Sequence, residues 1–143
     1  MILDSYAVLA LLKGEPAASP VSNLLGDHSD ARLTAVGVAE IVDHLIRLVG
    51  VSEDEAALDI AQLGLADALP VDASMATAAG ALRARHYHRR HRAVSLADCV
   101  AAEAARICGV ALVTADPPLL DLCHEEGIDR IALPDTAGRL WTE

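Results

Sequence analysis

Val110-Ala111-Leu112-Val113-Thr114-Ala115-Asp116-Pro117-Pro118 is an apolar run, a hydroxyl, an acid and two prolines. Residues 110–114 read as a buried strand. Proline is tolerated in the first turn of a helix, so the acid sits where a strand hands over to a helix. Upstream, Ser95 caps a helix over 96–108 that Gly109 closes, and residues 129–133 read as an edge strand. Further out, residues 1–4, 31–35 and 68–71 read as short strands. Helices are predicted over 5–13, 17–26, 37–49, 53–64 and 73–87. Val38, Val42, Leu45 and Val49 supply the apolar stripe of the third, and Ser52 with Glu55 makes a capping box for the fourth. Strands alternating with helices imply an α/β fold. The expectation is a three-layer α/β/α domain spanning 1–143, with a short, mainly parallel sheet of four to five strands.

Hydrophobic content is 53%, enough for a core and too high for disorder. Phe is absent and Trp occurs once, so Ala, Val, Leu and Ile must build that core. No apolar run reaches the roughly 18 residues of a membrane span. The opening Met1-Ile2-Leu3-Asp4 lacks the basic start of a secretory signal. Cys99, Cys108 and Cys123 show no CxxC spacing and read as reduced thiols of a cytoplasmic protein.

Four acids fall near strand–helix junctions: Asp4 after the first strand, Glu40 after the second, Asp98 in the first turn of 96–108, and Asp116. In an open parallel sheet, ligands bind beyond the carboxyl ends of the strands. Crowded carboxylates repel, and a hard cation such as Mg²⁺ or Mn²⁺ relieves that repulsion. Such a cation activates water and neutralises phosphate charge, the two needs of phosphodiester hydrolysis. Each acid also has a structural reading. Asp4 and Asp116 fit helix N-caps, Asp98 completes a capping box with Ser95, and Glu40 shares a polar face with Asp43, His44 and Arg47. Ala101, Ala102 and Ala105 on the side of Asp98 set it at the edge of a buried face.

The same residues carry a family resemblance. Asp4-Ser5-Tyr6 followed by Ala7-Val8-Leu9-Ala10-Leu11-Leu12 resembles the opening motif of PIN-domain nucleases. Ala39-Glu40-Ile41 resembles their Glu-bearing helix, Leu96-Ala97-Asp98-Cys99 their central Asp motif, and Thr114-Ala115-Asp116 their Thr-x-Asp strand end. Order and spacing match over essentially the whole chain. The resemblance implies a metal-dependent endoribonuclease that binds Mg²⁺ or Mn²⁺ through Asp4, Glu40, Asp98 and Asp116. Ser5 and Thr114 would support the carboxylates through their hydroxyls. It further implies a toxin of the VapC type, an RNA substrate, a VapB-like antitoxin as partner, and a homodimer. The chain departs from the pattern after Asp116. Many relatives carry another acid there, whereas this chain has Pro117, Pro118, Leu119 and Leu120 before Asp121, which leaves one metal or two open.

The net charge is −10, unusual for a nucleic-acid binder. Basic charge is concentrated, however: Arg83, Arg85, Arg89, Arg90 and Arg92 are five of the 11 basic residues. Arg85, Arg89, Arg90 and Arg92 are candidates for RNA phosphates, with Tyr87 as a stacking partner for a base. A solvated helix end explains the run equally well. His86, His88 and His91 read as surface residues rather than zinc ligands, as do His28, His44 and His124. Competing functions fit less well. A phosphoacceptor domain wants paired acids after its first strand and a late lysine, and Lys13 is the only lysine. An Asp-x-Asp phosphatase wants an acid where Tyr6 stands. A PIN fold without activity, acting as a binding module, is the remaining alternative.

Overall fold

A computed structural model describes residues 1–27 and 30–142, so the reading of His28 lies outside the described residues. The elements run β1 (Ile2–Leu3), α1 (Ser5–Lys13), α2 (Ala18–Asp27), α3 (Ala35–His44), a π-helical turn (Leu45–Val49), α4 (Glu53–Gln62), α5 (Ala73–His86), α6 (Leu96–Cys108), β2 (Leu112–Thr114), α7 (Pro117–Glu126) and β3 (Arg130–Ala132).

β2 lies between β1 and β3, and all three are parallel. Ile2 pairs with Leu112, Leu3 with Val113, and Val113 with Ile131. The expected strands at 31–35 and 68–71 are reduced to single parallel bridges, Ile2 with Arg32 and Thr34 with Leu69. Arg32 gives its N–H to Met1 and accepts from Leu3, while Ala35 donates to Leu69 and Leu33 accepts from it. Alternate residues of 32–35 therefore bond to opposite sides, as a central strand does. Five parallel segments result, three as strands and two as short flanking pieces.

Successive residues on a strand face opposite sides of the sheet. Leu3 and Val113 enter a core shared with Val8 of α1, Val21 of α2, Ile41 of α3 and Ile60 of α4. Ile2 and Leu112 enter the other core, with Leu82 of α5, Ala102 and Ala105 of α6, and Leu119 and Leu122 of α7. That is the expected α/β/α layering. Alanine recurs on the buried face of α6, so this helix packs close against the sheet.

The caps are those the sequence announces. Ser52 accepts from Glu55 N–H at 3.2 Å while Glu55 accepts from Ser52 N–H at 2.8 Å. Gly109 ends α6 at φ +63°, a left-handed turn that favours glycine and sends the chain into β2. The helix expected over 37–49 differs: α3 starts at Ala35, capped by the Thr34 hydroxyl at 3.0 Å from Gly37 N–H. It then widens into a π turn, closed by Gly50 N–H donating to Leu45 C=O at 2.9 Å.

Candidate active site

Asp4 leaves the carboxyl end of β1 and is only 6% exposed. Its Oδ2 accepts from the Thr114 hydroxyl at 2.8 Å, and Thr114 itself is fully buried at the end of β2. Ser5 Oγ lies 3.3 Å from Asp4 Oδ1 and 3.0 Å from Glu40 Oε2. One hydroxyl proton cannot serve two carboxylates at full strength, so Ser5 ties α1 to α3 while leaving the pair short of donors.

Burial, then the charge of Asp98, pushes the Asp4 carboxyl up to about 7, with Glu40 adding to the rise and Thr114 opposing it. Burial also raises Glu40, opposed by the Ser5 hydrogen bond, with Asp98 adding to the rise. Asp116 is pushed up to about 6 by burial, then by Asp98. The charge of Asp98 thus reaches Asp4, Glu40 and Asp116 alike. Three elements converge on it: the ends of β1 and β2 and the middle of α3.

The structural readings hold at the same time. Asp98 Oδ2 accepts from Ser95 N–H at 2.6 Å while Asp98 N–H donates to Ser95 Oγ at 3.0 Å, a complete capping box. Asp116 Oδ2 accepts from Leu119 N–H at 3.1 Å as the N-cap of α7. Asp4 occupies the N-cap position of α1 without a side-chain cap bond. Two acids therefore each spend one oxygen on a helix end. Among the described residues, no group of three or more His, Cys, Asp or Glu side chains stands close enough together to hold a metal ion. The donor set is nevertheless all oxygen, which suits Mg²⁺ or Mn²⁺.

Arg89, Arg90 and His91 are exposed in the turn after α5. Arg92 pairs with Glu125, and Arg85 with Glu126 at 3.2 Å. His86 Nε2 lies 2.5 Å from Glu126 Oε1. Those acids of α7 fasten both ends of the basic turn, pairings that the sequence reading did not foresee. Tyr87 carries the Arg83 guanidinium over its ring at 4.1 Å, and His88 stacks on His91 at 4.7 Å. His124 is exposed, while His44 is half-buried. Cys99 and Cys123 are buried free thiols that burial pushes up to about 11 and about 12, too high for nucleophiles at neutral pH.

Sequence reasoning was also silent on the tail after β3. It folds back beside Asp116, with the Tyr6 hydroxyl donating to Pro134 C=O at 3.1 Å. The only sequence signal was Pro134-Asp135, a turn-prone pair.

Comparison with known proteins bears on the family and the fold. The family model described as "PIN domain" matches residues 1–125. No curated protein matches the sequence. Among solved structures, FitAcB from Neisseria gonorrhoeae is 19% identical, covering 91% of this chain and 95% of that one, with a TM-score of 0.62. VapBC2 from Rickettsia felis, bound to a DNA fragment from their promoter, is 13% identical, covering 92% and 97%, with a TM-score of 0.66.

Proposed function

The chain belongs to the PIN domain family, and from that premise we propose that it is a single-domain, metal-dependent endoribonuclease, the toxin of a toxin–antitoxin pair. One observation carries the reading: the charge of Asp98 raises Asp4, Glu40 and Asp116 together, so four carboxylates share one electrostatic neighbourhood. Carboxylates held this way invite a cation.

In this reading Asp4, Glu40, Asp98 and Asp116 hold Mg²⁺ or Mn²⁺. When bound, such a cation lowers the pKa of a water and neutralises charge building on the phosphate. The remaining work falls to the chain's own groups. Thr114 Oγ1 holds Asp4 Oδ2 in place, and Ser5 Oγ spaces Asp4 from Glu40. The capping bonds fix the second oxygens of Asp98 and Asp116, and the first oxygen of each would bind the cation. Arg89 and Arg90, exposed and close in sequence to the N-cap of α6, supply the positive charge for phosphates in this reading.

The antitoxin partner is supported by an open apolar groove of about 300 Å³ lined by Ala35, Val38, Val42, Ala57 and Ile60. Leu48 of the π turn and Leu58 of α4, 59% and 55% exposed, add apolar surface on two of the neighbouring elements. Exposed apolar surface of this kind marks a partner site. A homodimer is part of the same proposal. Among the described residues, no helix is long and apolar enough to cross a membrane.

The test is cleavage of single-stranded RNA by the purified chain with Mn²⁺ or Mg²⁺, and again after chelation. Metal-dependent internal cuts are expected. Intact RNA at every metal concentration would leave a binding module instead.

A further inference from the structure

A cavity of about 220 Å³ opens beside Asp116, lined by Tyr6, Ala115, Asp116, Pro117, Asp135 and Thr136. It is smaller than the roughly 300–1,000 Å³ of a drug-sized pocket and suits a single ring system. Its walls are a phenol ring, a proline ring and an alanine methyl, flat and apolar. Its rim carries two carboxylates and a hydroxyl.

The walls are built rather than incidental. The Tyr6 ring is fixed at its far end by the bond to Pro134 C=O. Asp135 Oδ1 accepts from Ala137 N–H at 2.8 Å and from Arg139 N–H at 2.9 Å, which closes the turn presenting Thr136. Trp141 Nε1 donates to Asp121 Oδ1 at 2.9 Å and fastens the tail to α7. Tyr6 follows Asp4 by two residues and Pro117 follows Asp116 by one. Asp116 itself lines the cavity, so a ligand there touches one of the four acids.

We infer that this cavity is a nucleobase subsite: an unpaired base next to the scissile phosphate inserts between Tyr6 and Pro117 and stacks on the Tyr6 ring. The inference deepens the nuclease reading and rests on it. Base–aromatic stacking is how proteins hold single strands without base pairing. A duplex cannot enter, since the base would have to leave its stack. The substrate class is thus a single-stranded or looped RNA.

The experiment uses a short single-stranded RNA carrying 2-aminopurine at successive positions. Binding is followed in Ca²⁺ buffer, chosen to slow cleavage, and cutting of the same strand in Mn²⁺. With the parent protein, fluorescence should fall at one position beside the cut. Tyr6→Leu should abolish that change and weaken binding on the order of tenfold to hundredfold, the range of one stacked base. Tyr6→Phe, which keeps the ring and removes only the Pro134 bond, should retain most of the affinity. An abasic nucleotide at that position should weaken the parent as much as Tyr6→Leu does, and should weaken Tyr6→Leu little further. If the parent binds and cuts the strand while Tyr6→Leu does so equally well, or the two effects simply add, the subsite is overturned and the nuclease reading stands. If the parent neither binds nor cuts any RNA, the nuclease reading falls and the subsite with it.

Discussion

At the scale of residues, the informative pair is Asp4 and Thr114. An Asp after a first strand and a Thr two residues before another acid were visible in the sequence, and the family resemblance named both. Their hydrogen bond was not visible, because the two are 110 residues apart and meet only through the register Leu3–Val113. Thr114→Val keeps the shape of a fully buried side chain and removes the hydroxyl that most opposes the rise at Asp4. A hydrogen bond to a charged group is worth roughly 1.5–3 kcal/mol, about one to two pH units. The carboxyl of Asp4 should then titrate above its value of about 7 in the metal-free protein, read by carbon-detected NMR. An unchanged titration would mean that burial and the neighbouring charges set it without Thr114. Ser5 shows the limit of sequence reading in another way: its place in the motif was clear, but its position between two carboxylates depends on α3 packing against α1.

At the scale of elements, helices and their caps were legible because their signals are local. Ser52 with Glu55, Ser95 with Asp98, and Gly109 each act within four residues, and all three are found as read. The flanking strands were less legible, because 32–35 and Leu69 are held by single bridges whose strength comes from the whole sheet. The π turn after α3 had no signal, since Leu45–Val49 keeps an ordinary helical pattern. The basic turn after α5 divides in a way composition could not reveal. Arg85 and Arg92 are engaged by Glu126 and Glu125, whereas Arg89 and Arg90 extend into solvent. Replacing Arg89 and Arg90 together by Ala should lower the magnitude of the salt slope of single-strand binding by about 1.4, at about 0.7 for each phosphate that is no longer neutralised. An unchanged slope would remove this turn from the RNA path. Arg92→Ala should instead loosen the turn, seen as faster amide exchange over residues 87–92.

For the whole molecule, the net charge of −10 is the feature that composition alone misreads. Part of it sits in the four carboxylates, which costs the metal-free protein stability. The direction follows from linkage. Asp4 is raised from 3.8 to about 7 and Asp116 from 3.8 to about 6, so the folded chain binds these protons more tightly than the unfolded chain. Their stabilising effect is complete below about pH 4 and is lost as pH rises through 6 and 7. The metal-free melting temperature should therefore gain from this pair at low pH, and Mn²⁺ should raise it most at pH 7 and above. A metal effect that does not grow with pH would contradict a site built from these acids. The central claim, that Asp98 anchors a metal-dependent ribonuclease site, is tested most directly by Asp98→Asn. The amide keeps an oxygen to accept from Ser95 N–H, so the capping box and the fold should survive. Thermal melting without metal and RNA cleavage with Mn²⁺ are measured on the same preparation. The account predicts a melting temperature equal to or above the parent's, because one of four crowded charges is gone, together with loss of cleavage. Full cleavage by a folded Asp98→Asn protein would contradict it.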